Sequence, residues 1–212
     1  MYVMRRGRVE DTVEARTTKA EKGEASRATL VHAARALFTE HGYGGVGTEE
    51  IVRRAKLTRG ALYHHFADKK DLFRAVHEQI EGEVMTAIGA QMADAEADPY
   101  ALLVVGARAY LDVCTDPAIT RVTLVDAPSV LGWEEWREID MRHGLGIVIG
   151  GLQGGMDAGA LRRQPVRPLA HLLLGAMGEA GMMIANAADP DTARSEIEPA
   201  LLGLLEGLRV GR

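Results

Sequence analysis

Between Thr48 and Phe73 the chain reads TEEIVRRAKLTRGALYHHFADKKDLF. Two short helices joined by Lys56, Leu57 and Thr58 have the dimensions of a helix-turn-helix, whose second helix enters a major groove by its N-terminal end. With Leu62 as the inward direction and about 100° of rotation per residue, Gly60 and His64 point away from the core, flanked by Arg59, Ala61 and Tyr63. These residue types suit a nucleic-acid duplex. Arg59 could reach guanine O6 and N7, Gly60 and Ala61 permit close approach of the backbone, and Tyr63 and His64 can donate hydrogen bonds to phosphates. Thr48 and Lys69 open the flanking helices, where backbone amides, a hydroxyl and an ammonium suit a phosphate oxygen. A generic helical hairpin with a solvated polar face has the same spacing.

Other constellations are weaker. Gly42 to Gly47 satisfies G-x-G-x-x-G, but that dinucleotide motif needs a preceding strand. Here the preceding segment has helical periodicity, and Glu49 and Glu50 would face any phosphate, so a loop between two helices is expected. LGIVIGGLQGG lacks the lysine of a P-loop. His64 and His65 diverge on a helix and cannot share one metal. Asp140 and His143 could share a face, with Cys114, His171 and Glu179 as distant partners, but no second spaced pair exists, and structural or effector-contact roles are favoured over metal. No G-x-S-x-G elbow occurs and no catalytic constellation emerges. Neither a cofactor nor a metal is expected.

The elements that must position the first segment are helical. Leu30, Ala33, Ala34, Leu37 and Phe38 mark one helix face, with Ser26 as N-cap and His41-Gly42 as the stop. Helices follow at Thr48 to Ala55, capped by Thr48, at Arg59 to Phe66, capped by Thr58, and from the Lys69 region to about Ala93. Beyond Asp98-Pro99 the chain is punctuated at Asp116-Pro117, Ala127-Pro128, Pro165, Pro168 and Asp189-Pro190, with segments too long for strands between most of these marks. An all-α fold follows. Glycines four apart, Gly146, Gly150, Gly154 and Gly151, Gly155, Gly159, would let a neighbouring helix approach one running from about Trp133 to Ala158. The stretches Leu169 to Ala187 and Leu201 to Leu208 are apolar on nearly every side, fit for a core or for half of an intersubunit bundle. Gly175, Gly178 and Gly181 permit close contact there, Met177, Met182 and Met183 fill gaps, and Pro199 starts or kinks the last helix.

Composition sets the bounds. The chain has 212 residues, 47% of them apolar and 26% charged, which is ordinary for a globular protein. No apolar run approaches the roughly 18 residues of a membrane span, and Cys114 is the only cysteine, so a reducing cytoplasm and no membrane partner are expected. The net charge of −5 conceals an asymmetry: residues 1–72 carry net +4 and residues 73–212 carry net −9. Residues 1–25 have almost no periodic apolar positions and read as a flexible arm, within which Arg5, Arg6 and Arg8 could reach a minor groove. Residues 26–72 then form a basic head and residues 73–212 an acidic body. An all-helical enzyme or ligand carrier with a fortuitous basic head remains open on these grounds.

TRGALYHHFADKKDLF, with GYGGVGTEEIVRRAK before it, closely resembles the DNA-binding head of the TetR family of bacterial transcriptional regulators. The match covers about Ser26 to Val76, and its Leu-Tyr-x-His-Phe-x-x-Lys core is distinctive. The resemblance implies a three-helix head on a helical, effector-binding and dimerising body, with the homodimer formed through the two C-terminal helices. Carried over by position, it implies base reading by Arg59, Gly60 and Ala61 and phosphate contacts by Thr48, Tyr63, His64 and Lys69. His65 also falls at a phosphate-contact position, although the helical wheel turns it toward the core. Lys56 departs from the family's usual glycine, at a cost of about 1 kcal/mol if the turn is left-handed. Glu49 and Glu50 repel nearby phosphates. The expected function is a repressor that binds a palindromic operator in double-stranded DNA and is released by a small-molecule effector. Polar or aromatic character amid apolar helices makes Tyr110, Cys114, Trp133, Arg137, His143, His171 and Met177 candidates for its pocket.

Overall fold

Aspartate followed by proline starts three of the body's helices. Asp98, Asp116 and Asp189 each accept a backbone N–H of the first turn, while the proline behind them occupies a position whose missing donor costs nothing. These starts divide a computed structural model that describes the backbone of residues 7–93 and 98–211, with side chains from residue 20 onward. Its helices are α1 Gly7–His41, α2 Thr48–Ala55, α3 Arg59–His65, α4 Lys69–Ala93, α5 Pro99–Val113, α6 Pro117–Thr120, α7 Ala127–Leu131, α8 Trp133–Asp157, α9 Val166–Ala185 and α10 Pro190–Glu206. A π-helical segment, Arg121–Asp126, joins α6 to α7. The described residues contain no strand, in keeping with the all-α expectation.

The first helix differs from its expected start. It runs unbroken through Ser26, whose hydroxyl donates to the Lys22 carbonyl instead of capping, and from Gly7 it occupies what was expected to be a flexible arm. Apolar periodicity is absent there, but Ala, Glu, Lys and Arg have high helix propensity and no proline interrupts them. Arg5 and Arg6, candidates for minor-groove contact, lie outside the described residues, as does the side chain of Arg8.

In the head, Leu30, Ala34, Leu37 and Phe38 of α1 meet Ile51 of α2, Leu62 of α3 and Leu72, Phe73 and Val76 of α4 in one buried cluster. Phe38, Tyr43 and Phe73 contact one another with ring centroids 5.1–5.8 Å apart. The loop between α1 and α2 contains no nucleotide-binding strand. Gly42, at φ +71°, ends α1, and a Cβ on Gly45 would stand 2.6 Å from the His41 carbonyl oxygen.

In the body, α5, α8, α9 and α10 share a second cluster that includes Leu103, Leu111, Leu152, Leu173, Ile184 and Leu201. Only one of the two glycine stripes on α8 serves close packing. Cβ atoms on Gly151 and Gly155 would lie 2.6 Å from Leu103 and Leu161 side chains, whereas Gly146, Gly150 and Gly154 face nothing within 4 Å. Gly159, at φ +72°, lies beyond the helix end. Gly181 abuts the Tyr110 hydroxyl, and Gly175 and Gly178 lie against the Arg137 guanidinium. Pro199 lies inside α10, which Pro190 starts. By length and hydropathy α9 is apolar enough to cross a membrane, contrary to expectation; Arg167, His171 and Glu179 are spread too thinly to break the stretch, and 39% of its apolar window is buried inside the protein.

Candidate DNA-reading helix and effector cavity

The turn between α2 and α3 is made by Lys56 at φ 54°, ψ 37°, the left-handed conformation its position demands. Its N–H donates to Arg53 and that of Leu57 to Val52, which closes α2 and aims the chain into α3. Thr58 then caps α3, its hydroxyl accepting the Ala61 N–H at 3.2 Å. Leu62 is 0% exposed and Phe66 3% exposed, so the helix is anchored from behind. Arg59, Gly60, Tyr63 and His64 are solvent-exposed, and Ala61 is half-exposed. A Cβ on Gly60 would meet only the Thr58 hydroxyl, at 3.8 Å, so nothing inside the protein requires a glycine there.

Three contacts tie the face together. The Arg59 guanidinium pairs with Glu49 at 3.2 Å and sits 5.7 Å from the centroid of the Tyr63 ring. Hydrogen bonds from Thr48 and then Arg59 hold the Tyr63 phenol below its ordinary pKa. Thr48 itself is the first residue of α2 and not its cap. Gly47 occupies the cap position with no side chain to offer, which leaves N-terminal amides of α2 without a side-chain partner. Lys69 is more engaged than expected. Its ammonium donates to the Tyr43 and Val46 carbonyls, both at 2.9 Å, and lies 3.9 Å from the Tyr43 ring centroid; burial lowers its pKa. One of its three donors is left for a phosphate. His65 is half-buried, its Cε1 3.9 Å from where a Cβ on Gly23 of α1 would stand.

Two adjoining chambers lie among the described residues of the body. The larger, with about 750 Å³ of unfilled space counted out through its mouth, is lined by apolar side chains including Met85, Met92, Leu103, Leu173 and Met177. The smaller is lined by Glu81, Cys114, Thr120, Thr123 and Trp136, among others. Tyr110 and Asp140 belong to both walls, so the chambers meet at that pair. Among the expected pocket residues, Tyr110, Cys114 and Met177 line these spaces. Arg137 stands behind them, 3.2 Å from Asp140, and His143 packs against Gly82. Trp133 is 59% exposed at the start of α8, its ring tilted against Trp136 with centroids 4.9 Å apart, and His171 is exposed on α9; neither lines a chamber.

One acidic wall residue, Glu81, escaped sequence reasoning. Glu81 interrupts the apolar face of α4 four residues after His77, a pattern that signals a cavity or an ion pair inside a core. Burial, with a contribution from Asp140, raises the Glu81 carboxyl to about 8, and burial raises Asp140 against the opposing effect of Arg137. Glu81 lines the smaller chamber, its side chain 14% exposed. His77 is wholly buried, with both ring nitrogens unpartnered, and is lowered to about 4 by burial and by His143. Burial raises Cys114 to about 12 and holds Tyr110 well above its ordinary value. No group of three metal-ligating side chains is found among the described residues.

The head is fastened to this body at defined points. Asp126, at the end of the π-helical segment, accepts the Tyr43 N–H at 2.7 Å, and Thr39 donates to the Ala118 carbonyl. Within the body, the Trp136 indole N–H donates to the Thr123 carbonyl at 2.9 Å and ties α8 to this segment. Lys70 donates to the Leu131 carbonyl and pairs with Glu135, which also takes the Arg74 guanidinium.

A helix-turn-helix with an exposed second helix, hydrogen-bonded to a helical body that holds a cavity, defines the class of ligand-responsive, DNA-binding transcriptional regulators. Known proteins agree. Residues 30–76 match the family described as bacterial regulatory proteins, tetR family, and residues 100–208 match the tetracyclin repressor-like C-terminal domain. The chain belongs to the TetR family. A crystal structure of a TetR-family transcriptional regulator from Pectobacterium atrosepticum is 36% identical, with a TM-score of 0.82 over 90% of this chain and 97% of that one. The transposon Tn10 TetC protein of Escherichia coli is 29% identical over 64% of this chain and 68% of its own length. The regulator AcrR of Shigella flexneri is 40% identical, but over only 33% of this chain and 32% of its own.

Proposed function

We propose that the protein is a homodimeric, cytoplasmic repressor whose two α3 helices read successive major grooves of a palindromic operator, and which a small molecule bound in the body releases. One observation carries this reading: the opening turn of α3 is exposed while Leu62 and Phe66 hold it from behind. In the proposed complex Arg59, Gly60 and Ala61 meet base edges, and Thr48, Tyr63, His64 and Lys69 meet phosphates. The residues that bear on the effector are Tyr110, Cys114 and Met177, with Arg137 and His143 behind them. Exposed Leu172 and Met183 on α9 and Leu204 on α10 support a twofold interface there, since single-chain burial leaves them bare.

Release follows from the wiring. Thr120 and Thr123 wall the smaller chamber, and three residues past Thr123 the same segment holds the Tyr43 amide through Asp126. Tyr43 in turn holds Lys69. An occupant that moves this wall changes the angle of the head, and two heads out of register with successive grooves lose affinity. Gel-shift with DNA upstream of the protein's own gene tests the reading. Sequence-specific, salt-sensitive binding is expected. Its absence would favour an all-helical ligand carrier or enzyme with a fortuitous basic head.

A further inference from the structure

We propose that the effector is an amphiphile bearing one positive charge, its apolar body among Met85, Met92 and Leu103 and its ammonium between the carboxyl groups of Glu81 and Asp140. This rests on the body cavity being the effector site. The chambers supply the two halves of such a ligand. The larger is walled almost wholly by apolar side chains, and among the described residues the only ionisable groups on its wall are Tyr110 and Asp140. The smaller adds Glu81 at the same junction.

The charge count at the junction is unbalanced. Asp140 is compensated by Arg137 at 3.2 Å. Glu81 has no hydrogen-bond partner among the described residues, and its nearest ionic neighbour, the Nδ1 of His77 at 3.9 Å, belongs to a ring that burial keeps neutral. The other titratable groups that share the smaller chamber's wall add no cation: Tyr110 of α5 and Cys114 at its C-terminal end are kept protonated by burial. An unpaired carboxylate in such a space loses its solvation without a compensating charge, so the empty site keeps a proton on Glu81. A ligand ammonium supplies the missing charge and drives that proton off. A neutral hydroxyl can donate to Asp140 or Glu81 but leaves the count unchanged.

Calorimetric titration of the full-length protein with phenylalkylamines of increasing chain length, and with the matching phenylalkanols, tests the proposal. At least one amine should bind ten times or more tightly than its alcohol. Its affinity should rise several-fold from pH 6 to 7 and flatten above about pH 8, with proton release to the buffer. The same amine should free operator DNA. Glu81→Gln should retain alcohol binding while losing the pH dependence and most of the amine preference. Asp140→Asn, which leaves Arg137 uncompensated, should reject amines altogether. Alcohols that bind as tightly as amines and free the operator would overturn the charge assignment and leave the cavity as the effector site. Failure of both series to bind would overturn the two together.

Discussion

Lys56 has the only positive φ of any non-glycine residue among those described, and it lies at the turn that aims α3. The strain of a left-handed lysine exceeds the extra chain entropy that glycine loses on folding, so Lys56→Gly should stabilise the protein by about 0.5–1 kcal/mol. Urea denaturation would show the gain as a higher midpoint with unchanged slope; a lower midpoint would contradict it. The left-handed turn was legible because the family's glycine marks the place, and the outward residues Arg59, Gly60 and His64 were legible from a helical wheel centred on Leu62. The role of Lys69 was only half legible. Spacing placed it at a helix start, but its bonds to the Tyr43 and Val46 carbonyls depend on the path of a loop that periodicity does not describe. Glu81 was not legible because an acidic residue in an apolar stripe is compatible with solvent as well as with a cavity, and at Trp133 and His171 residue type does not say which helix face is covered.

At the scale of elements, the helices of the head and the long helices of the body followed from apolar spacing and Asp-Pro starts. The π-helical segment did not. One additional residue in a turn leaves no mark on a short pattern, and its stability comes from distant partners such as the Trp136 indole. The hydroxyls of Thr120 and Thr123 donate to carbonyls four residues back, which also loosens regular α-helix. This segment connects chamber to head, so Asp126→Ala should free the Tyr43 amide. Hydrogen exchange through residues 43–47 should then quicken by tenfold or more, and operator affinity should fall. Unchanged exchange would show that the head is held elsewhere.

For the whole molecule, two buried groups on α4 shape stability against pH. Glu81 is raised to about 8 in the folded state, so its favourable contribution is complete below its unfolded value near 4.5 and is lost as pH climbs toward 8. His77 is lowered to about 4, so its contribution is complete above its unfolded value near 6.5 and is lost as pH falls toward 4. The two oppose each other between about 4.5 and 6.5, and only Glu81 acts above that range. Thermal melts should therefore show Tm falling between pH 6.5 and 8, and Glu81→Gln should flatten that limb and uncover a fall in Tm as pH drops from 6.5 toward 4. A limb unaltered by Glu81→Gln would assign it to another group.

The claim from which the rest follows is that the first turn of α3 meets base edges in two places related by the dimer's twofold axis. Methylation interference at guanine N7 across the operator tests it directly. Two symmetric sets of interfering guanines are expected, their centres separated by about one helical turn of DNA or a whole multiple of it. Arg59→Ala should abolish interference at one guanine in each set while leaving the flanking phosphate contacts. Interference unchanged by Arg59→Ala, or confined to a single unpaired set, would contradict the account.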